Sequence, residues 1–433
     1  MMITGKGDVS AQSNWRITES ADVSIILDGR QSPAMCAVKS YRAVPDTEPV
    51  PDFEGAADSA AKDYAAWLGN RIPANENERI AHYVLWGNFV RAGGCLHYDA
   101  MYMNKLAMGN IWSWDNCFGA MALAHSHPEK AFEQLKVIFD WQDSSGALPD
   151  YVNDTFVSFS CVKPPIYGFT VEKLREENDF FRRPEIVKYL YYKISKLTNF
   201  WLHRRIDGQL GLPCYFHGND SGWDNASVFH AGVPVCSPDL GAYLVQQMDM
   251  LADLAGELNM KEDKYAWKLR ADNLFSAMMS RLYTEDAFVS RLCPDGKIDP
   301  NAKSLLNLLP VVIWYRLPEK ILERLVSVLE NEFEQNFGLS TESTGSVYYK
   351  KGGYWLGPVW APVSYIFISS LRKAGYHQMA QRLAGKFLNL VYISGMAENF
   401  DPVSGEGYDD NAFAWTASVY LLLLDEYVYK ISG

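Results

Sequence analysis

Two carboxylates, an indole and a glycine fall within one stretch, Asp220-Ser-Gly-Trp-Asp-Asn225. Trp223 offers a flat apolar face beside the carboxyl of Asp224, and Gly222 supplies a backbone position open to dihedrals that other residues avoid. A sugar ring needs that pairing: the aromatic plane stacks on its C–H face while the acid reaches the glycosidic oxygen. The same residues also suit a polar turn with an Asn/Asp cap. A second acid lies far along the chain. Glu398 opens the run Glu-Asn-Phe-Asp-Pro-Val-Ser-Gly-Glu, after an apolar helical stretch and before a Pro/Gly-rich loop. An acid at a helix C-terminus opposes the macrodipole, so its position points to another use. Together Asp224 and Glu398 supply the two carboxyl groups that glycosidic hydrolysis requires, one protonated and one ionised. The indole of Trp223 favours a raised pKa for Asp224, whereas Glu398, among polar neighbours such as Asn399, is expected to stay charged and activate water.

Other residues could hold the sugar. Trp114-Asp115 starts a helical stretch, where Asp is favoured by the helix dipole and the indole could be core; as function, the carboxylate holds two sugar hydroxyls. Tyr354-Trp355 and Trp360 follow Gly352-Gly353 and read either as core aromatics at a helix start or as walls of a sugar site.

The elements that must position these groups are helical. Amphipathic or wholly apolar segments lie near 57–70, 76–91, 114–126, 128–142, 164–179, 184–204, 238–258, 262–283, 303–315, 318–334, 357–374 and 376–394, with 411–428 closing the chain. Pro128, Pro184, Pro238 and Pro318 sit where first-turn prolines belong. Segments apolar around much of their circumference, such as 242–254 and 419–424, must be covered on two sides. Paired helices in two layers would do this, and a ring of six pairs would use twelve; a two-domain helical protein also accommodates the pattern. Residues 1–55 lack helical period and read as an N-terminal arm and linker with a short strand from Val23, leaving 56–433 as the helical unit. Long loops run near 92–113, 143–163, 205–237, 284–302 and 335–356, and loops of that length in a compact domain usually carry function. Nearly all the unusual chemistry lies on them or at their edges.

Composition narrows the partners. The chain of 433 residues is 48% hydrophobic and 21% charged, as in soluble globular proteins. Its net charge of −12 argues against nucleic acid, which needs a basic face. The 13 Trp, 25 Tyr and 21 Phe exceed what a core needs and suit a carbohydrate cleft. The seven cysteines, at 36, 95, 117, 161, 214, 236 and 293, form no CxxC pair and no Cys/His ligand spacing. They read as buried free thiols in a reducing cytoplasm, with no metal and no cofactor expected. The start has no apolar signal region and no run is long enough to span a membrane. An acidic surface with an N-terminal arm permits a homodimer.

Several motifs resemble those of the trehalases and of glycoside hydrolase family 63. Trp112-Ser-Trp-Asp-Asn-Cys-Phe is similar to their Trp-Asp motif, and Lys163-Pro-Pro-Ile to their Gln-Pro-Pro segment. Asp220-Ser-Gly-Trp-Asp resembles the motif whose last Asp is the general acid. Tyr354-Trp-Leu-Gly-Pro-Val-Trp is similar to Tyr-Trp-Arg-Gly-Pro-x-Trp, and the run from Glu398 resembles the motif carrying the general base. Phe413-Ala-Trp415 resembles the closing Gly-Trp segment. The resemblance implies an all-α (α/α)6 barrel and inverting hydrolysis of an α-glycosidic bond, usually of glucose, with Asp224 as acid and Glu398 as base. It implies sugar contacts from Trp114, Asp115, Lys163, Trp223, Tyr354, Trp355, Trp360 and Trp415, and, from the chain's size, a likeness to glucosylglycerate and mannosylglycerate hydrolases. Three positions depart from the pattern: Lys163 stands for Gln, and Val228 and Leu356 each stand for Arg. Lys163 restores one of the two lost cations, either beside an anionic aglycone or as an ordinary solvated lysine. A sugar epimerase on the same barrel is the rival enzyme class; such chemistry usually employs histidine, and His217 and His230 lie near the acid motif. A non-catalytic sugar-binding protein is the third reading, for which an acid and a base would be superfluous.

Overall fold

Segments that are apolar all round form an inner ring, and segments apolar along one stripe form the layer outside it. The computed structural model describes residues 52–105 and 108–429; before them it describes only the backbone of the strands Met2–Thr4, Asp8–Ser13, Arg16–Ala21, Ser24–Asp28 and Cys36–Tyr41. The strand expected from Val23 is Ser24–Asp28. The proline-rich stretch from Val44 falls almost entirely outside the described residues.

The helices in chain order are α1 (Phe53–Leu68), α2 (Glu76–Asn88), α3 (Asp115–Leu123), α4 (Pro128–Phe139), α5 (Tyr167–Glu177), α6 (Pro184–Arg204), α7 (Pro238–Glu257), α8 (Lys261–Leu282), α9 (Glu319–Val328), α10 (Ala361–Lys373), α11 (His377–Ser394) and α12 (Ala414–Leu424). Between α8 and α9 lies the 3-10 segment Leu305–Arg316. α3, α5, α7, this segment, α10 and α12 pack each on the next, and α12 returns to α3. α2, α4, α6, α8, α9 and α11 lie outside them, with α1 against α2. The architecture is an (α/α)6 barrel.

Burial follows the pattern in the sequence. Every residue of α12 from Ala414 to Leu424 is buried, as is every residue of α10 from Ala361 to Leu371. Outer α8 buries only Trp267, Ala271, Leu274, Met278 and Leu282, one stripe at helical spacing. The 305–316 segment departs from the expected α-helix. Pro310 removes a backbone donor inside it and the chain kinks at Ile313 (φ −106°, ψ 34°). Pro318 caps α9 rather than occupying its first turn, and the closing helix ends at Leu424, followed by a π-turn over Asp425–Tyr429.

Loop lengths alternate. Short links leave the inner segments, such as 124–127 and 258–260. Long ones enter them: 89–114, 140–166, 205–237, 283–304, 334–360 and 395–413. The inner helices therefore all begin at one end of the barrel, and the long loops gather there. Among the described residues no helix is long and apolar enough to cross a membrane.

Candidate active site

Two small sheets and one loop deliver the side chains. In the first sheet, Ile111–Trp112 pairs with Tyr151–Val152, which pairs in turn with Val157–Ser158. This brings Asp150 beside the Trp114-Asp115 start of α3. In the second, Trp360 pairs with Asn399 and Asn399 with Tyr408. That register sets Glu398 near the Tyr354-Trp355 turn. Glu398 thus leads into a strand, three residues beyond Gly395 at the end of α11, so the helix-dipole argument for it does not apply. Its backbone is fixed on both sides: its N–H donates to the Asp410 carbonyl (2.7 Å), and its carbonyl accepts from Trp415 Nε1 (3.1 Å).

The acid motif is a tight loop built on Asp220. That carboxylate, 2% exposed, accepts from the backbone N–H groups of Val162, Phe216 and His217 and pairs with Arg205 at 3.1 Å. It is an anchor rather than a reacting group. Gly222 turns the chain at φ +74°, and a Cβ there would stand 2.7 Å from the Trp114 ring; only glycine fits both demands. Asn225 then joins the two halves of the site, donating to the Gly353 carbonyl (3.0 Å) and accepting from the Trp355 N–H (2.9 Å).

These segments enclose a cavity of about 320 Å³. Asp224 and Glu398 both line it, with Trp114, Asp115, Lys163, Tyr354, Trp355 and Trp415. Trp223 and Trp360 do not. They stand behind Trp355 in a stack of three indoles, Trp223 to Trp355 at 5.0 Å and Trp355 to Trp360 at 3.9 Å between ring centroids. They pack on Trp355, the ring of the three that lines the cavity, and so support the wall without forming it.

Among the described residues, one cation and four acids line the cavity. Lys163, 7% exposed, lies 3.4 Å from Asp150 Oδ1 and 3.9 Å from Asp224 Oδ1, and donates to the Asn219 carbonyl at 2.9 Å. It is therefore a buried charge partner, not a solvated lysine. Burial pushes the Asp115 carboxyl up to about 8, with Lys163 opposing. Burial also raises Asp224, again against the pull of Lys163. Glu398 is pushed up to about 7 by burial and then by the nearby Asp409 charge, outweighing the hydroxyl of Tyr354, which donates to its Oε1 at 3.4 Å. Glu398 is therefore not the ordinary charged acid that its polar sequence neighbours suggest: two further acids, Asp409 and Asp410, lie nearby and confine its ionised form to higher pH. Asp115 Oδ2 and Trp355 Nε1 are buried with no hydrogen-bond partner, one acceptor and one donor left open at the cavity wall.

The family model for the mannosylglycerate hydrolase MGH1-like glycoside hydrolase domain matches residues 108–416. This chain belongs to that glycoside hydrolase family. The mannosylglycerate hydrolases of Rubrobacter radiotolerans and Thermus thermophilus are 23% and 24% identical to it, each over 72% of this chain and over 89% and 93% of their own lengths. Its fold is that of the family 63 mannosylglycerate hydrolase of Thermus thermophilus in complex with glucose (TM-score 0.70, 23% identity, 80% of this chain and 99% of that one). It also resembles the neutral trehalase of Saccharomyces cerevisiae (TM-score 0.64, 14% identity, 82% of this chain and 80% of that one).

In this glycoside hydrolase Met108, Tyr151, Ser160 and Asn219 line the cavity without any sign in the sequence motifs, and Asp150 lines it too. Asp150 had a signal: an acid closing Gly-Ala-Leu-Pro in a long loop. Ser160 fixes it, donating to Asp150 Oδ2 at 2.9 Å. No histidine lines the cavity; His217 caps a 3-10 turn and His230 packs edge-on against Tyr348. The described cysteines are free, and three of them meet in space. Cys214, Cys236 and Cys293, which share no local spacing, place their sulfurs within 4.8 Å of one another.

Proposed function

We propose that this glycoside hydrolase is an inverting, exo-acting α-glycosidase for a small α-glucoside or α-mannoside, with Asp224 as general acid and Glu398 as general base. The observation that carries the reading is that these two carboxyls, remote in sequence, line one aromatic-walled cavity. Asp224 protonates the leaving oxygen while Glu398 takes a proton from a water on the opposite face of the ring. Inverting enzymes hold the two groups roughly 6.5–9.5 Å apart to seat that water. A cavity near the low end of ligand pockets, roughly 300–1,000 Å³, suits one sugar and a short aglycone. Asp115, held protonated below about pH 8, both donates to and accepts from sugar hydroxyls. The described cysteines are all free, which supports a cytoplasmic setting.

Asp224→Asn and Glu398→Gln are each expected to lower kcat by about 10²–10⁴-fold with an unchanged circular dichroism spectrum. Near-wild-type turnover in both would overturn the roles. Proton NMR of the first-released sugar should show the β-anomer from an α-linked substrate; an altered ring stereocentre would mean epimerisation.

The relatives named mannosylglycerate hydrolases support an acidic aglycone such as glycerate. So does Lys163, which among the described residues is the one cation lining the cavity and stands beside Asp224. A carboxylate on the departing group would lie in its field. The second reading, a neutral disaccharide, draws on the carboxylates of Asp150 and Asp224 already sharing that charge. Rates on mannosylglycerate, glucosylglycerate, glucosylglycerol and trehalose decide between them. The acidic reading expects Lys163→Gln to cut kcat/KM for the glycerates at least ~10-fold more than for glucosylglycerol, an energy of about 1.4 kcal/mol. Equal losses on both would leave Lys163 as a partner of Asp224 alone.

A further inference from the structure

The cysteine cluster lies at the root of the loop that carries Asp224. Cys214 follows α6, Cys236 ends the strand Val235–Cys236, and Cys293 comes from the separate 283–304 loop. Backbone pairing fixes all three: Tyr215 bridges Val235, Val235 pairs with Leu292, and the Cys293 N–H donates to the Pro234 carbonyl at 2.8 Å. The side chains are 2%, 0% and 8% exposed. No disulfide explains the convergence: the Cys236 and Cys293 sulfurs are 3.3 Å apart and unbonded, and a disulfide would leave Cys214 without a role. Other partners are weak, the Cys214 thiol meeting the Arg205 carbonyl at 3.4 Å and the Cys236 thiol meeting the Leu212 carbonyl at 3.6 Å.

We propose that Cys214, Cys236 and Cys293 form a three-thiolate site for a soft divalent metal ion of the zinc class, which staples the root of the acid loop to the 283–304 loop. An ion with bonds of about 2.3 Å to each sulfur holds the sulfurs about 3.8 Å apart. The Cys236 and Cys293 sulfurs are 3.3 Å apart and all three lie within 4.8 Å of one another, limits that bracket that distance. Thiolate donors select soft ions over magnesium or calcium. On binding, three thiols lose three protons to the buffer as three metal–sulfur bonds form. The complex carries one net negative charge.

The test titrates the full chain, reduced and freed of metal by chelation, with Cd²⁺. The expected result is one ion per chain, a thiolate-to-metal charge-transfer band, three fewer thiols open to a thiol reagent under mild denaturation, and an upward shift of the melting midpoint. Cys236→Ser and Cys293→Ser should each lose the band, and Cys95→Ser should keep it. Failure of the wild-type chain to take up the ion, or a band that survives both substitutions, overturns the site. So does a Cys236–Cys293 disulfide in protein isolated without reductant, if the reduced chain then binds no Cd²⁺. None of these readouts depends on glycosidase activity.

Discussion

The proton inventory of the cavity governs how the two proposed catalytic carboxyls can work. A general base is most effective with a pKa close to the working pH, and burial together with Asp409 brings Glu398 to about 7. The free-enzyme kcat/KM profile is therefore expected to fall on the acid side with an apparent pKa near 7, as Glu398 gains its proton and can no longer activate water. Tyr354 supplies a check on the assignment. Its hydroxyl donates to Glu398 and favours the ionised form, so Tyr354→Phe should move that limb to higher pH while the alkaline limb, set by the acid, moves less. A limb that stays in place would separate Glu398 from it. The types of these residues, and their motifs, are readable along the chain. Their titration is not, because Asp409, Lys163 and the depth of burial reach each carboxyl through the fold. The places of Trp223 and Trp360 are hidden for a similar reason: sequence marks an indole as aromatic but does not say which ring of a stack lines the cavity.

At the scale of elements, the site depends on how closely loops can approach inner helices. Gly222 is the tightest point. Its φ of +74° and the 2.7 Å separation of a would-be Cβ from the Trp114 ring mean that alanine pays twice, by about 1–2 kcal/mol for the left-handed backbone and by about 1–3 kcal/mol for overpacking. Gly222→Ala is expected to lower the unfolding free energy measured in urea by about 2–5 kcal/mol, the two costs together, and to raise KM, since the displaced ring is a wall of the cavity. An unchanged KM would show that Trp114 does not contact substrate. The helices themselves were legible, most to within a few residues, because core-facing stripes and first-turn prolines mark them strongly. The 305–316 segment carries an apolar pattern that suits an α-helix, and only Pro310 inside it marks the departure to a kinked 3-10 segment. The short strands in the long loops gave no signal, since two-residue pairings are set by what lies across from them.

At the scale of the whole molecule, ring closure is the step that no local pattern states. The chain shows no repeat, and the contact that completes the barrel joins α12 to α3 across most of the sequence. At the end of the ring away from the cavity, a buried ionic cluster ties the closing segment down. Glu426, 5% exposed, pairs with Lys173 of α5 and with Arg372 of α10 (3.2 Å), and accepts from the Tyr365 hydroxyl at 2.7 Å. Lys173 also pairs with Glu177 at 2.8 Å. Removing one member of a buried pair costs more than the pair is worth, because the other charge is left without its partner. Glu426→Ala is accordingly expected to lose about 3–5 kcal/mol of unfolding free energy in urea, while kcat per folded molecule stays near wild type, since the cluster is remote from the cavity. The double replacement Lys173→Met with Glu426→Leu removes the central pair but leaves Arg372 and Glu177 without those partners, so it should recover part of that loss. Recovery would show that the cluster orders the ring without being its main source of stability. A double variant as unstable as Glu426→Ala would instead make the ionic tie itself, rather than the apolar packing of α3 against α12, what holds the barrel closed.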